Sequence, residues 1–273
     1  MPILTNFHTH TVLCDGYNTF TENIEKAISL GFHSLGFSGH AYVPFDGLYS
    51  GMTPDAMRIY RVELESLKGK YSDIIAIFTG LENDAAYLHP AGGYDYTIGS
   101  VHCIKCGDKY YSVDSLNSVV ESAIETEFGG DGFAFAEAYY GAVLDFVSSR
   151  RADILGHIDV VRRFNKGGVL HFDECGGRYR DIAVSALEKA VGSGYLIEVS
   201  TGSIQKGISD ETYPADFLLR RARELGARVI VNSDAHYSDY LNFAFDRAEQ
   251  KLRDIGFTER WELSRDGFMA VKL

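Results

Sequence analysis

The chain contains few cysteines, and this shortage excludes a disulfide-stapled protein. Four cysteines among 273 residues are too few for such a scaffold, which indicates a reducing compartment. Cys103 and Cys106 have the spacing of zinc ligands, but a structural zinc site needs two further ligands, and Cys14 and Cys175 are isolated in the sequence. We therefore expect the pair to be two thiols beside the end of a strand.

Basic residues are also scarce. The chain has 26 Lys and Arg against 38 Asp and Glu, for a formal net charge of −12, and its Lys/Arg runs do not exceed two residues. Such a surface should repel polyanions, so we expect no nucleic-acid partner.

Long apolar runs and targeting signals are missing as well. No stretch is long enough to cross a bilayer, and the N-terminal residues enter a strand-like segment without a basic or apolar leader. We therefore expect a soluble, cytoplasmic protein with no membrane partner. We find no low-complexity linker, internal repeat or convincing boundary, so residues 1–273 are expected to form a single domain.

Seven short apolar segments, each bounded by Gly, Asp or Ser, are typical of strands buried on both faces of a parallel sheet. They cover residues 3–10, 34–40, 74–82, 96–104, 154–159, 195–201 and 228–236. Helical patterns separate them, and these patterns predict helices opened by Thr19 and Thr53 and helices over 131–149, 178–191, 214–225 and 243–255. The alternation predicts an α/β fold of about seven β/α units.

Six of the nine histidines stand where a predicted strand runs out: His8, His10, His40, His102, His157 and His236. Glu82 ends a further strand. Side chains at the same end of successive strands converge if the strands lie side by side, as in a closed or nearly closed β/α barrel. A single histidine of this kind is more often structural, but six on five strands favour a multinuclear metal site.

The spacing within these segments supports shared ligation. His8 and His10 lie two residues apart, so on a strand they face the same side, and Asp234 and His236 repeat this geometry. Glu82 supplies a carboxylate able to bridge two ions. Imidazole and carboxylate are ligands that zinc, manganese and iron share, which indicates a transition metal without naming it.

Other candidates remain open or are set aside. Asp15, between Cys14 and Gly16, is either a ligand or a turn residue. His33, His89 and His171 do not end strands, and we expect them to be structural or surface residues. Two or three neighbouring ions can generate hydroxide at neutral pH, hold a phosphoryl oxygen and stabilise a leaving alkoxide, and hydrolysis of a phosphate ester most needs all three.

The ordered motifs resemble those of the PHP (polymerase and histidinol phosphatase) superfamily from about residue 7 to 237. The residues that carry this resemblance are the His-Thr-His-Thr segment, the strand-end residues and the closing Ser-Asp-Ala-His segment, namely His8, His10, His40, Glu82, His102, His157, Asp159, Asp234 and His236. Glu198 in Ile-Glu-Val-Ser-Thr, Lys206-Gly207 and Tyr213-Pro214 resemble the histidinol-phosphate phosphatase branch less specifically.

This resemblance implies a distorted (β/α)7 barrel of PHP type, with the metal site at the C-terminal end of the strands. It implies two or three divalent transition-metal ions, zinc, manganese or iron, held in three sets of ligands. These sets are His8, His10, Glu82 and Asp234, then Glu82, His102 and His157, then Asp15, His40 and His236. Of these, Glu82, Asp234 and His236 are also expected to be catalytic.

Two positions depart from the family pattern. Gly39 stands where relatives often carry an acidic residue, so a contact to the ring of His40 is expected to be missing. Gln205 stands where close histidinol phosphatases usually have an arginine that contacts phosphate. The second departure concerns the substrate more than the metal.

We expect a metal-dependent phosphomonoesterase that hydrolyses L-histidinol phosphate to L-histidinol and phosphate in histidine biosynthesis. A metal-bridging hydroxide is expected to attack phosphorus in line, with Arg162, and with Arg163, Gln205 and Lys206 as further candidates, at the phosphate oxygens. A solvated basic pair is the alternative for the two arginines. Candidates for contacting the substrate's imidazole and ammonium are Tyr42, Phe45 and Asp159.

Two alternative functions stay open at this point. One is a PHP phosphoesterase for another small phosphate, such as a nucleoside monophosphate or a sugar phosphate. The other is a non-catalytic accessory barrel, against which stand the nearly complete ligand set and the expectation that no polymerase segment follows residue 273. The sequence does not predict the oligomeric state.

Overall fold

The first two helices begin at the residues that the sequence predicts. The computed structural model describes residues 2–45, 50–149, 152–165 and 171–273. Helix α1 (Phe20–Ser29) opens with a capping box, in which the backbone N–H of Glu22 donates to the Thr19 side chain and the Glu22 carboxylate accepts from the Thr19 backbone. Helix α2 (Pro54–Lys70) follows its N-cap Thr53 in the same way.

In the described part of the chain, a nine-stranded sheet contains the seven predicted strands, and these seven neighbour one another in chain order and pair in parallel. They are β1 (Thr5–Asn6), β2 (Ser34–Phe37), β3 (Ala76–Asp84), β4 (Tyr96–Ser100), β7 (Ile154–Leu155), β8 (Leu196–Ser200) and β9 (Val229–Asn232). The fold is therefore mixed α/β with a parallel sheet, as predicted.

Further helices lie between these strands and after the last of them. They are α3 (Asn117–Glu127), α4 (Gly132–Ser148), α5 (Gly177–Gly192), the one-turn α6 (Gly202–Gln205), α7 (Asp216–Glu224) and α8 (Phe245–Ile255). Short 3-10 helices cover Val160–Phe164 and Ser238–Tyr240. The larger apolar cluster packs helices against the strands, for example Ile24 and Leu64 with Leu35 and Phe37.

Two antiparallel hairpins were not predicted. The predicted segment 96–104 breaks after β4, and β5 (Cys103–Cys106) turns away to pair with β6 (Lys109–Ser112). At the end of the chain β10 (Glu259–Ser264) pairs with β11 (Gly267–Lys272), and β10 extends the parallel sheet beyond β9. Among the described residues, none of the helices is both long and apolar enough to cross a membrane.

Tyr96 fills space that two glycines leave free inside the sheet. A Cβ atom at Gly80 would lie 2.3 Å from the Tyr96 ring, and one at Gly36 would lie 2.5 Å from its hydroxyl oxygen. The hydroxyl donates to the backbone oxygen of Phe7 at 2.6 Å. A second apolar cluster, including Phe7, surrounds this ring. The sheet interior is therefore closely packed behind the strand ends that carry the predicted ligands.

The chain segments that follow β1 and β9 also meet. Thr9 and Ala235 form a parallel bridge, in which the N–H of His10 donates to Ala235 at 2.9 Å and the N–H of Ala235 donates to His8 at 3.0 Å. The first and the seventh of the parallel strands are thereby brought together at their carboxyl ends. Side chains that follow all seven strands can therefore meet in one place.

Candidate metal centre

The structure brings all nine predicted metal ligands together. They lie at the ends of the parallel strands or in the segments after them, and they are His8, His10, Asp15, His40, Glu82, His102, His157, Asp234 and His236. His8, His10 and Glu82 are fully buried, whereas Asp15 and His236 are half-buried.

Glu82 lies at the middle of this group, and its two oxygens face different histidines. Its Oε1 atom lies 3.2 Å from Nε2 of both His102 and His157. Its Oε2 atom lies 3.1 Å from Nε2 of His8 and 2.8 Å from Nδ1 of His40. A carboxylate placed in this way can contact two ions at once.

Two aspartates occupy the rest of the group. Asp234 Oδ1 lies 3.1 Å from Nε2 of His10. Its backbone has φ of 52°, in the left-handed region that a non-glycine residue rarely adopts. Asp15 Oδ2 lies 3.3 Å from Nε2 of His236 and 3.6 Å from Nε2 of His40, so Asp15 faces imidazoles as well as occupying a turn.

Three subsets of these residues have donor atoms within 4.8 Å of one another. They are His8, His10 and Glu82, then His40, Glu82 and His102, then His10, Asp15, His40 and His236. These groups overlap with the three ligand sets that the family resemblance implies. They differ in placing His10 and His40 in two groups each and in leaving out His157 and Asp234.

The donor atoms fit divalent transition metals. Nε2 of His8, Nε2 of His10 and Oε2 of Glu82 are buried, and their contacts of 2.8 to 3.1 Å within the described part of the chain lack the geometry of a hydrogen bond. A buried polar atom without a hydrogen bond is destabilising by about 1–3 kcal/mol, and a cation would satisfy these lone pairs. Nitrogen and oxygen donors of this kind suit zinc, manganese or iron without a thiolate.

The charges in the centre keep the Glu82 carboxylate ionised and act differently on its imidazoles. Burial alone would raise the pKa of Glu82, but His8, His40 and His102 hold it well below its ordinary value. Burial and the neighbouring His236 and His40 lower the pKa of His10 to about 3, which keeps this imidazole neutral. Burial would lower the pKa of His102, but Glu82 and Asp84 outweigh it and raise it to about 10.

Sequence reasoning missed two carboxylates that support the ligands. Glu198 Oε1 lies 2.7 Å from Nδ1 of His8. Asp84 Oδ2 accepts from the backbone N–H of His102 at 2.9 Å and lies 3.3 Å from its Nδ1. Carboxylates of this kind orient imidazole ligands in metal sites. For Glu198 the available signal was a charged residue within an otherwise apolar strand, and for Asp84 it was a second carboxylate two residues after Glu82.

The structure also shows what occupies the space beside Gly39. A Cβ atom at this position would lie 3.3 Å from Sγ of Cys14, Cε of Met52 and the ring of Tyr60. The N–H of Gly39 donates to the Tyr60 hydroxyl at 3.2 Å, and this hydroxyl donates to the Gly80 backbone oxygen at 3.0 Å. These side chains therefore fill the space that a larger residue at position 39 would need.

A cavity of about 450 Å³ opens beside the ligands. Three of the four predicted substrate-binding residues line it, namely Arg163, Gln205 and Lys206. The ammonium of Lys206 lies 3.1 Å from Oδ2 of Asp234, at the edge of the metal group. Asp114 lines the same cavity and lies 3.9 Å from the guanidinium of Arg163.

The fourth predicted phosphate ligand, Arg162, lies outside this cavity lining. Its guanidinium donates to Asp159 at 3.0 Å, to Glu174 at 2.5 Å and to Glu211 at 3.1 Å. Burial lowers its pKa, but these carboxylates outweigh it and raise the value. Three of its five N–H donors are thus bound to carboxylates of the protein, and Asp159 is one of these partners.

Tyr42 and Phe45 lie outside the cavity lining as well. Tyr42 accepts a hydrogen bond from His89 through its backbone oxygen, at 2.7 Å, and the ring of Phe45 stacks on that of Tyr110 at 4.0 Å. Neither side chain contributes to the wall beside the ligands.

The chain is similar to known proteins over most of its length. A probable histidinol-phosphatase of Deinococcus radiodurans is 29% identical over 268 residues, which cover 93% of this chain and 94% of its own. The histidinol-phosphatase of Bacillus subtilis is 25% identical over 261 residues, which cover 88% of this chain and 96% of its own.

A solved structure shares the fold. It is histidinol phosphate phosphatase of Lactococcus lactis, complexed with zinc, L-histidinol and phosphate, and it superposes with a TM-score of 0.72 over 97% of this chain and 98% of its own, at 21% identity. Residues 6–202, most of this chain, match the family described as the PHP domain. The chain therefore belongs to the PHP domain family.

Proposed function

We propose that the protein is a metal-dependent phosphomonoesterase that hydrolyses L-histidinol phosphate to L-histidinol and phosphate, a step of histidine biosynthesis. One observation carries this proposal: the buried carboxylate of Glu82 faces histidines with both oxygens, beside a cavity that Arg163 and Lys206 line. The names of the relatives, which are histidinol-phosphatases over most of this chain's length, support the choice of substrate.

In this proposal the centre holds two or three divalent ions. Glu82 would bridge between the ions near His8 and His10 and those near His102 and His157, and Asp15, His40 and His236 would complete the third position. Divalent ions supply a nucleophile from water at neutral pH and stabilise charge on the phosphoryl group.

The protein's own cations would hold the phosphate. Arg163 is partly exposed to the cavity, and its contact with Asp114, at 3.9 Å, is longer than a hydrogen bond. Its guanidinium can therefore donate two parallel bonds to a phosphate. Lys206 adds a point charge beside Asp234, and Gln205 adds neutral donors. We assign no phosphate contact to Arg162, because three carboxylates hold it.

The organic part of the substrate carries an ammonium and an imidazole, which require an acidic neighbour. Of the carboxylates that line the cavity in the described part of the chain, Asp15 and Asp234 belong to the metal group. Asp114 is therefore the carboxylate that remains to bind the ammonium or the imidazole of the substrate, and we assign it this role in place of Asp159.

We also propose that residues 1–273 form one domain in which the seven parallel strands make a distorted (β/α)7 barrel, with the ions at the carboxyl ends of the strands. The parallel bridge between Thr9 and Ala235 supports this arrangement, because it joins the segments after β1 and β9. A biosynthetic enzyme of this type is expected in the cytoplasm.

A second candidate substrate class is favoured by one residue. Gln205 lines the cavity at a position where the family resemblance implies an arginine, so the site offers one positive charge less for a phosphate than that resemblance implies. A PHP phosphoesterase for another small phosphate, such as a nucleoside monophosphate or a sugar phosphate, would be consistent with this change. The nearly complete set of donors argues against a non-catalytic barrel.

The test combines metal analysis with a substrate panel. Protein purified without added metal should contain two or three equivalents of transition metal by elemental analysis, and its kcat/KM should be highest for histidinol phosphate among small phosphate esters. An Asp234→Asn variant purified in parallel controls for contaminating phosphatase. A higher kcat/KM for a nucleotide or a sugar phosphate would show that the substrate is that ester and not histidinol phosphate. Less than one equivalent of metal, with no activity restored by manganese or zinc, would contradict the proposal of a metal-dependent enzyme.

A further inference from the structure

Glu198 is a charged residue in the middle of an otherwise apolar strand. It lies in β8 between Ile197 and Val199, and its side chain is fully buried. A buried carboxylate is strongly destabilising unless hydrogen bonds satisfy it, so its partners indicate why it stands there.

Both oxygens of Glu198 accept hydrogen bonds from other strands. Oε1 lies 2.7 Å from Nδ1 of His8 and accepts from the side-chain amide of Asn232 at 2.9 Å. Oε2 accepts from the backbone N–H of His157 at 3.0 Å. A single carboxylate on β8 thus joins the segments after β1 and β7 to the end of β9.

These bonds determine which nitrogen of His8 faces the metal group. Because a carboxylate oxygen accepts, Nδ1 of His8 donates to Glu198, so the neutral ring that a metal ion requires has its lone pair on Nε2. That Nε2 atom lies 3.1 Å from Oε2 of Glu82. The bond to the His157 backbone likewise fixes the segment that places Nε2 of His157 3.2 Å from Oε1 of Glu82.

We propose that Glu198 is a positioning residue that sets up two ion positions at once, the one at His8 and the one at His157. The inference rests on the metal centre proposed above, and it is independent of which phosphate ester is hydrolysed. The third position, at Asp15, His40 and His236, receives no contact from Glu198 in the described structure.

An isosteric amide cannot replace this carboxylate. If the amide oxygen of Glu198→Gln faces His8, its NH₂ group meets the N–H of His157, and two donors oppose each other. If the amide is flipped, its NH₂ group faces Nδ1 of His8, which must then become the acceptor, and the proton moves to Nε2. A protonated Nε2 cannot bind a cation, so either orientation disturbs one ligand.

The experiment measures zinc affinity by competition with a chromophoric chelator, together with the thermal unfolding of the metal-free protein. Glu198→Gln should weaken zinc binding about 10-fold to 100-fold at one of these two positions, at His8 or at His157 according to the orientation of the amide, and leave the position at Asp15, His40 and His236 near the wild-type value. Glu198→Asp, which keeps the charge but withdraws it by one methylene, should show an intermediate loss. The metal-free variants should unfold cooperatively, near the wild-type temperature.

Asp153→Asn is the matched control. Asp153 also joins strands through its carboxylate, accepting from the backbone N–H and the hydroxyl of Thr97 at 2.8 Å and 3.0 Å, before the start of β7. This variant should keep wild-type zinc affinity. Unchanged affinity in Glu198→Gln would overturn the proposal, and so would equal weakening at all positions or failure of both Glu198 variants to fold in excess zinc. If the wild-type protein binds zinc but does not hydrolyse histidinol phosphate, only the proposed substrate is wrong.

Discussion

Nδ1 of His40 lies 2.8 Å from Oε2 of Glu82, while the other oxygen of Glu82 faces His102 and His157. The carboxylate therefore stands between two groups of imidazoles, each of which reaches a different oxygen. This geometry distinguishes Glu82 from a side chain that presents a single donor atom to the group.

Glu82→Gln should consequently lower the metal content by two ions together, whereas His40→Ala should chiefly empty one. A carboxylate spans two cations through two charged oxygens, whereas an amide oxygen is neutral and a weaker donor. Elemental analysis of the two variants, purified side by side, compares them directly. Full metal content and full turnover in Glu82→Gln would show that another residue bridges the ions.

Arg162→Ala should chiefly lower stability, whereas Arg163→Ala should chiefly impair catalysis. The guanidinium of Arg162 is bound to three carboxylates, and its loss leaves them unpaired. The free energy of unfolding should therefore fall by about 3–5 kcal/mol. Arg163 lines the cavity, so its loss should reduce transition-state binding by about 1.5–3 kcal/mol with little change in stability. Denaturant unfolding and steady-state kinetics of both variants test this pair.

The opposite result for the two arginines would contradict this assignment. Wild-type kcat/KM in Arg163→Ala, with a large loss in a folded Arg162→Ala, would return the phosphate contact to Arg162. It would mean that the ion pairs of Arg162 open when substrate binds.

Gln205→Arg should lower KM for histidinol phosphate. Gln205 lines the cavity, and a guanidinium there would bind the phosphate through two charged hydrogen bonds in place of neutral ones. Steady-state kinetics of the variant, with Gln205→Lys as a control for charge without the planar fork, measures the effect. An unchanged or higher KM would indicate that Gln205 belongs to a site for another substrate.

Metal binding should release protons, and metal affinity should rise with pH. Glu82 and Asp84 raise the pKa of His102 to about 10 in the metal-free protein, so a cation that binds this ring near pH 7 displaces a proton. Apparent affinity should then increase about tenfold per pH unit for each proton displaced, up to pH 10. His10, with a pKa of about 3, contributes nothing to this slope near neutrality.

Isothermal titration calorimetry in two buffers of different ionisation enthalpy measures the protons released. His33→Ala is a suitable control, because His33 is an exposed histidine outside the ligand group. An affinity that is independent of pH between 6 and 8 would mean that His102 is not a ligand.

Local patterns were enough to predict much of the fold. The capping box at Thr19 and Glu22 lies within four residues, so the start of α1 depends on little else. The strand ends were predicted because apolar runs give way to His, Asp or Glu. The chain-order topology then placed these ends side by side, as parallel β/α units require.

Other features involve partners that are distant in the chain. Arg162 was predicted to bind phosphate, but Glu174 and Glu211, which occupy it, are 12 and 49 residues further along. The filled space at Gly39 depends on Met52 and Tyr60. Glu198 could be matched to a family motif, yet its partner His8 is 190 residues away.

The sequence by itself determined which residue types end the strands, and hence that imidazoles and carboxylates would gather at one end of a parallel sheet. The tertiary structure decided which of these atoms face one another, which cations reach the cavity and which are held by the protein. The physical reason is that strand periodicity fixes the side on which a residue lies. A hydrogen bond, in contrast, requires two atoms to be placed to within a few tenths of an ångström, and these atoms often belong to segments far apart in the sequence.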